Sequence, residues 1–121
     1  MPHAKILVVD DSPTQMKLAT SCLATQGYQL ITAVDGEEAL RKASSEQPDL
    51  IVLDVILPGQ NGFQICRTLK TSADTKNIPV VMLTSKNQDS DKFWGMRQGA
   101  DAYLTKPFIE SELLTTVARH L

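Results

Sequence analysis

Residues 5–15 read KILVVDDSPTQ, and this stretch carries the signals that decide the fold. Its first part, Lys5–Val9, has no polar residue after the lysine, which is typical of a strand buried on both faces of a sheet. A helix is predicted directly after it, because Ser12 is a favourable N-cap, Pro13 suits the first helical position and Gln15 completes a capping box. A buried strand followed at once by a helix is the first half of a βαβ unit.

The same strand-then-helix pattern repeats along the rest of the chain. The predicted strands after the first are Gln29–Ala33, Asp49–Leu53, Pro79–Leu83 and Asp101–Leu104. The predicted helices run from Pro13 towards Gly27, from Gly36 to the stop at Gln47-Pro48, onward from Asn61-Gly62, from Asp89 to Gln98, and from Glu110 to His120. This alternation predicts an α/β fold: a doubly wound, five-stranded parallel sheet with five helices on its two faces. Of the common doubly wound strand orders, the flavodoxin-like order 2-1-3-4-5 suits such a sheet.

The composition fits one ordinary globular domain, residues 1–121. Of the 121 residues, 42% are hydrophobic and 21% are charged, and the net charge is −2. These values exclude a disordered tail, a collagen-like rod and a disulfide scaffold, and the near-neutral charge argues against nucleic-acid binding. Cys22 and Cys66 are the only cysteines and form no CxxC pair. We therefore expect both to be buried thiols in a reducing compartment.

The chain shows no signal for a membrane or for secretion. No apolar run approaches the ~20 residues that a membrane-spanning helix needs, and no long apolar stretch follows Met1 as it would in a secretory leader. We expect a cytoplasmic protein that contacts no membrane, with a monomer as the default state. The methionine at position 1 favours a complete protein over one domain excised from a longer chain.

Acidic residues stand where two of the predicted strands end. Asp10 and Asp11 follow the first strand directly, and Asp54 follows the third. The predicted strand order places these two strands side by side, and sheets of this kind bind ligands beyond the carboxyl ends of their strands. Three carboxylates at one edge repel one another, so either one of them takes up a proton or a cation enters, and Mg²⁺ is the cation that such oxygen ligands favour. The alternatives are that Asp10 and Asp11 cap the helix or face solvent, and that Asp54 is a turn residue.

Thr84 follows the fourth strand and Lys106 follows the fifth, so both are expected at the same edge. A carboxylate beside Mg²⁺ can attack a phosphoryl group and form an aspartyl phosphate. The ammonium of Lys106 would then neutralise the phosphoryl oxygens, and the hydroxyl of Thr84 would donate to one of them. A cis peptide bond between Lys106 and Pro107 would aim the lysine into the crevice. The alternatives are a solvated lysine and an ordinary strand threonine.

Four short segments resemble the receiver domain of two-component response regulators. They are ILVVDDS at 6–12, LDVILPG at 53–59 with Gly62 after it, LTS at 83–85, and YLTKPF at 103–108. Each segment alone is a weak signal, but all occur in the family's order and cover essentially the full chain. The resemblance implies a receiver that accepts phosphate from a histidine kinase in a phosphorelay and then acts on a partner protein.

The resemblance also assigns roles to individual residues. It implies that Asp54 is the phosphoacceptor, that Lys106 binds the phosphoryl group, and that the bond from Lys106 to Pro107 is cis. The implied Mg²⁺ site consists of Asp11, Asp54 and the backbone carbonyl of Ile56 as direct ligands, with Asp10 helping to organise the ion.

Thr84 and Tyr103 are the residues that the resemblance implies as a switch. Thr84 would swing towards the phosphate, and Tyr103 would turn inward into the space that opens. This motion would change the face made by the fourth helix, the fifth strand and the fifth helix, where the downstream protein would bind. The alternative for Tyr103 is a half-buried strand aromatic.

Ile56 and Lys86 stand at positions that tune the phosphoryl lifetime in many receivers, two residues after the acceptor and two after the threonine. Apolar Ile56 would hinder an attacking water, and Lys86 would hold the phosphoryl group. We therefore expect a phosphoryl bond that lives longer than in the fast chemotaxis receiver. Dephosphorylation measured in Mg²⁺ buffer tests this prediction, and complete loss within seconds would contradict it.

The stretch Thr84–Ala100 is similar to the single-domain receivers of chemotaxis-like systems that govern type IV pilus twitching motility and phototaxis. It contains Trp94-Gly95 inside the predicted fourth helix, although a glycine there costs about 1 kcal/mol. Trp94 is interpreted in two ways. It packs on the shoulder of the helix, or it anchors a partner protein, since exposed tryptophan and arginine are frequent interface anchors.

Rival functions stay open at this point. A Mg²⁺-dependent phosphohydrolase of haloacid-dehalogenase type would use the same aspartyl nucleophile, but that family has an aspartate as general acid where this chain has Ile56. A receiver-like module that is never phosphorylated would be expected to lack Asp11, Asp54 or Lys106, and all three are present. A flavodoxin-like carrier is disfavoured because no Ser/Thr-rich phosphate loop follows the first strand. On the leading interpretation the protein is not an enzyme, apart from catalysing its own phosphorylation and dephosphorylation.

Overall fold

The computed structural model of the protein describes residues 4–121. The predicted absence of a secretory leader rests partly on Met1–His3, which lie outside the described residues. Within these residues, one sheet contains the strands β1 (Lys5–Val9), β2 (Gln29–Ala33), β3 (Leu50–Leu53), β4 (Val80–Thr84) and β5 (Ala102–Thr105). The helices are α1 (Pro13–Ala24), α2 (Gly36–Glu46), α3 (Gly62–Thr71), α4 (Asp89–Arg97) and α5 (Glu110–His120). None of these helices is long and apolar enough to cross a bilayer.

The five strands are all parallel and lie in the order β2-β1-β3-β4-β5. This confirms the predicted doubly wound, flavodoxin-like sheet and its strand order. The last residues of β1 and β3, Val9 and Leu53, are direct register partners. Asp10 and Asp54 are the next residues of these neighbouring strands, so the two acids leave the sheet side by side.

Successive residues of each strand enter two separate cores, one on each face of the sheet. Leu7 and Val9 of β1 belong to the core under α2 and α3. Ile6 and Val8 belong to the opposite core, under α1 and α5. Because both faces are covered, the central strands β1, β3 and β4 are apolar without polar alternation, as the sequence indicated.

Ser12 caps the start of α1, as predicted, but the prediction of a capping box with Gln15 is wrong. The hydroxyl oxygen of Ser12 accepts from the backbone N–H of Gln15 at 3.3 Å. The N–H of Ser12 itself donates to Oδ1 of Asp10 at 3.0 Å, and not to the side chain of Gln15. The carboxylate of Asp10 is charged and closer along the chain, so it satisfies this donor and is itself oriented by it.

The strands β3, β4 and β5 each begin one residue later than predicted. Two of the residues before them use their carboxylates to hold neighbouring strands instead of joining the ladder. Asp49 accepts from the backbone N–H of Lys5 at 2.7 Å, and Asp101 accepts from that of Val80 at 2.8 Å. The sequence also gave no signal for a hairpin that pairs Ile56–Leu57 with two residues just before α3.

Both cysteines are buried and unpaired, as predicted. Burial raises the pKa of the Cys66 thiol to about 12, and burial followed by the charge of Glu110 raises the pKa of Cys22. The thiols are therefore protonated at neutral pH and act as small apolar groups of the two cores.

The first turn of α2 depends on a carboxylate. Oδ1 of Asp35 accepts from the backbone N–H of Glu38, and the carboxylate of Glu38 accepts from that of Val34, both at 2.8 Å. The hydrogen bond from Val34 and then the ammonium of Lys42, 3.2 Å away, lower the pKa of Glu38.

Glu38→Gln is expected to lower the free energy of unfolding by about 0.5 kcal/mol at neutral pH. A carboxylate whose pKa is lowered by folding adds stability above its unfolded pKa, about 4.3 for glutamate, and loses it as the pH falls through the folded pKa. Urea unfolding at a series of pH values should therefore show the difference from the parent protein vanish in acid. Glu37→Gln is the matched control, because Glu37 makes no side-chain hydrogen bond within residues 4–121. An identical pH profile for both variants would contradict the prediction.

Candidate functional site

A cleft of about 530 Å³ opens beyond the carboxyl ends of β1, β3 and β5. Its walls include Asp10, Asp11, Asp54, Ile56 and Lys106. The sheet positions these residues, because each of the acids and the lysine lies one or two residues after a strand whose end reaches the same edge. The cleft therefore lies at the edge of the sheet where the site was predicted.

Lys106 binds two of the carboxylates at once. Its Nζ donates to Oδ2 of Asp10 and lies 2.9 Å from Oδ2 of Asp54. The three side chains are 10%, 7% and 8% exposed, so this is a largely buried ion triad. Burial opposes the charge of the ammonium, but the hydrogen bonds to Asp10 and Asp54 outweigh it and raise the pKa of Lys106. Lys106 is therefore a cation at any pH near neutrality.

The backbone fixes the second oxygen of each acid. Oδ1 of Asp54 accepts from the N–H of Ile56 at 2.9 Å, and Oδ1 of Asp10 accepts from the N–H of Ser12. The backbone N–H of Asp54 donates to the carbonyl of Val9 at 3.0 Å, which extends the ladder between β1 and β3 by one residue. The Oδ2 atoms are thus left to pair with Lys106, which lines the cleft together with both acids.

Asp11 lines the same cleft, but its side chain is exposed and does not join the ion triad. Among residues 4–121, no group of three His, Cys, Asp or Glu side chains is close enough to hold a metal ion. The expected meeting of three carboxylates is therefore not seen in this structure, and a Mg²⁺ site made by Asp10, Asp11 and Asp54 stays a prediction. The ammonium of Lys106 offsets one of the two negative charges of Asp10 and Asp54, so a net negative charge stays at the pair.

The donor set of the cleft nevertheless suits a hard cation. The acids Asp10, Asp11 and Asp54 offer carboxylate oxygens, and none of the residues that line the cleft is His or Cys. Oxygen donors of this kind, with room left for waters, are what Mg²⁺ requires.

The loop after β3 is pressed against the start of α3, and Gly62 makes this possible. A Cβ atom on Gly62 would lie 2.2 Å from Cα of Val55 and 2.7 Å from the carbonyl oxygen of Asp54. The N–H of Gly62 donates to the carbonyl of Val55 at 3.0 Å. Only a residue without a side chain fits here, so Gly62 helps to set the position of Asp54.

Thr84 and Tyr103 are near the cleft but do not line it. Thr84 is fully buried at the end of β4, and its Oγ1 accepts from the N–H of Lys86 at 3.4 Å. Tyr103 is half-buried, and its hydroxyl donates to the carbonyl of Lys86 at 2.8 Å. Burial, followed by the charges of Asp91 and Asp54, raises the pKa of Tyr103 to about 12. Both residues therefore contact the same segment, the one that leads from β4 to α4.

Gly95 of α4 is a contact that sequence reasoning missed. A Cβ at this position would lie 2.8 Å from the sulfur of Met82 and 2.9 Å from two ring carbons of Tyr103. The glycine inside the helix, which is unfavourable on helix propensity alone, is thus explained by the close packing of the Tyr103 ring against α4. The bond between Lys106 and Pro107 is cis, as the resemblance implied.

Residues 6–118 match the sequence model of the response regulator receiver domain. The chain belongs to this family. It is 47% identical over 114 residues to Protein PilH of Pseudomonas aeruginosa, an alignment that covers 94% of each protein. It is also 40% identical over 117 residues to Protein PilG of the same organism, which covers 97% of this chain and 87% of PilG.

Solved structures agree with the family. The chemotaxis response regulator CheY4 of Vibrio cholerae superposes with a TM-score of 0.90 at 37% identity, over 98% of this chain and 99% of that one. The receiver domain of sensor histidine kinase PA1611 from Pseudomonas aeruginosa has a TM-score of 0.89 at 28% identity, over 97% and 96% of the two chains. The latter structure holds a magnesium ion in its active-site cleft.

Proposed function

We propose that this protein is a single-domain response regulator, residues 1–121, whose Asp54 accepts a phosphoryl group from a chemotaxis-like histidine kinase. The observation that carries the proposal is the ion triad in the cleft: one oxygen of Asp54 is held by the backbone, and the other lies 2.9 Å from the ammonium of Lys106. Membership in the receiver family supports the same chemistry.

In the proposed reaction, Oδ2 of Asp54 attacks the phosphorus of the kinase phosphohistidine. The P–N bond breaks, and its electron pair returns to the imidazole nitrogen, which takes up a proton. Lys106 releases Asp54 and pairs with a phosphoryl oxygen, so its charge offsets the one that arrives. The hydrogen bond from the N–H of Ile56 to Oδ1 keeps the attacking oxygen aimed at the cleft.

The residues proposed to hold Mg²⁺ are Asp11, Asp54 and the backbone carbonyl of Ile56, with Asp10 organising them. A bound Mg²⁺ supplies positive charge that stabilises the oxygens of the transferring group. The magnesium ion in the cleft of the related PA1611 receiver supports this assignment. Asp11, exposed at the rim, is the ligand of this set that is not tied to Lys106, Ser12 or Ile56.

Phosphorylation is proposed to act on a partner through Thr84 and Tyr103. Thr84 swings towards the phosphoryl group, which alters the segment at Lys86 that accepts the hydroxyl of Tyr103. The face of α4, β5 and α5 then binds a downstream protein. The likeness to PilH and PilG and the resemblance of residues 84–100 to pilus and phototaxis receivers support a role in type IV pilus motility or phototaxis.

We further propose a cytoplasmic monomer that binds neither nucleic acid nor membrane and that acts as a catalyst only on its own phosphorylation and dephosphorylation. The net charge of −2 supports the absence of a nucleic-acid surface.

Incubation with Mg²⁺ and acetyl phosphate, followed by intact mass measurement, tests the proposal. We expect a mass gain of one phosphoryl group that is stable in acid and labile in base. Asp54→Asn should abolish it, because an amide oxygen is a poor nucleophile that forms no acyl phosphate. Asp89→Asn, an exposed carboxylate at the start of α4, is the control and should be modified like the parent protein.

Two other results would overturn the proposal. Steady hydrolysis of varied phosphate esters would identify a phosphohydrolase, and no modification of the parent protein would identify a receiver-like module that is never phosphorylated.

A further inference from the structure

A second cleft, of about 370 Å³, lies between the start of α3 and the middle of α4. Its lining consists of Asn61, Phe63, Gln64, Arg67, Trp94 and Gln98. It shares no lining residue with the cleft at Asp54, and no residue of β5 or α5 lines it. We call it the α3–α4 cleft.

The side-chain amide of Gln98 points to a ligand. Gln98 is only 9% exposed, and its amide makes no hydrogen bond to any residue from 4 to 121. No polar side-chain atom in the described chain is sealed from solvent without a partner, so the amide of Gln98 keeps access to solvent, and Gln98 lines the α3–α4 cleft. This amide offers one acceptor and two donors, which are the groups that a peptide backbone satisfies.

The lining of the cleft carries a positive charge and no negative charge. The guanidinium of Arg67 forms no ion pair with the described part of the chain, and no carboxylate lines the cleft. Trp94 is 51% exposed and forms a flat apolar wall, whereas Phe63 is 6% exposed. Arginine and exposed tryptophan side chains are frequent anchors of protein interfaces. The guanidinium of such an arginine pairs well with a carboxylate.

We propose that the α3–α4 cleft docks an acidic segment of a partner protein. A carboxylate of the segment pairs with Arg67, its backbone amide groups bond the side chain of Gln98, and an apolar side chain packs on Trp94. The proposal goes beyond the phosphoacceptor function and does not require it, since the cleft is formed in the unphosphorylated protein.

Trp94 is the one tryptophan of the chain, so its fluorescence reports on the cleft directly. The probe is a short synthetic peptide that alternates aspartate with leucine, added to the 121-residue chain. We expect saturable changes in Trp94 emission and in the NMR signals of the Gln98 side-chain amide. Arg67→Glu should weaken binding roughly tenfold or more, and Gln98→Met, which keeps the packing volume, should weaken it severalfold.

Matched controls separate docking from simple charge attraction. Arg119→Glu changes the net charge equally at an exposed site on α5 and should bind the peptide like the parent protein. A peptide with lysine in place of aspartate should not bind. Equal effects of the two arginine variants, equal binding of the lysine peptide, or saturation by free succinate at the same concentration would each overturn the proposal. Failure of phosphorylation at Asp54 would leave these results unchanged.

Discussion

Lys106→Met is expected to lower the free energy of unfolding by about 3–5 kcal/mol in buffer free of divalent ions. The substitution keeps the length and apolar stem of the side chain but removes its charge. Asp10 and Asp54 are then left as two neighbouring carboxylates, 7% and 8% exposed, without a countercharge. Because a domain of this size is stable by only about 5–15 kcal/mol, the loss is large.

Added Mg²⁺ should restore most of this loss. A cation that binds the folded protein stabilises it by mass action, and in the variant it no longer competes with the ammonium for Asp54. Urea unfolding with and without Mg²⁺ measures both effects. Lys17→Met, an exposed lysine of α1, is the control and should change neither quantity. If Mg²⁺ stabilised the parent protein as much as the Lys106 variant, the ammonium would not be the competitor that we infer.

Gly62→Ala is expected to lower the free energy of unfolding by at least about 3 kcal/mol, which is at the upper end of the penalties for overpacking. The added Cβ overlaps backbone atoms of Val55 and Asp54, and backbone atoms cannot move aside by a change of side-chain rotamer. The loop that carries Asp54 must move, so phosphorylation by acetyl phosphate should fall together with stability.

Gly59→Ala is the control for the loss of a glycine as such. Gly59 has φ +71° and open space around it, so an alanine there meets only backbone strain, about 1 kcal/mol. Thermal unfolding of the two variants compares the two costs. A smaller loss for Gly62→Ala than for Gly59→Ala would show that the loop yields easily and does not position Asp54.

The fold could be predicted because its signals are local and repeated. The apolar stretch of Lys5–Val9 and the cap at Ser12 each report on a few neighbouring residues, and the same signals recur after each turn of the chain. A parallel sheet is covered by helices on both faces, and right-handed crossovers leave few possible strand orders. The strand order and the edge of the sheet that carries the site could therefore be predicted. The strands were predicted to start one residue too early, at Asp49 and Asp101, because these carboxylates bond to residues far away in sequence.

The site could be predicted in position but not in its resting geometry. The sequence shows where Asp10, Asp11 and Asp54 stand, but not that Lys106 would pair with two of them and leave Asp11 exposed. That outcome depends on the balance between burial and charge at contacts as far as 96 residues apart. The tight fits at Gly62 and Gly95 likewise depend on helices packing against distant strands. No local pattern encodes them.

Because the ammonium of Lys106 serves as the countercharge of Asp10 and Asp54, folding of this protein does not depend on a divalent ion. A newly synthesised chain carries its own substitute for a divalent ion, so it reaches its native state even where such ions are scarce. Under the proposed function, a divalent ion is then needed for the response of the folded molecule and not for its stability.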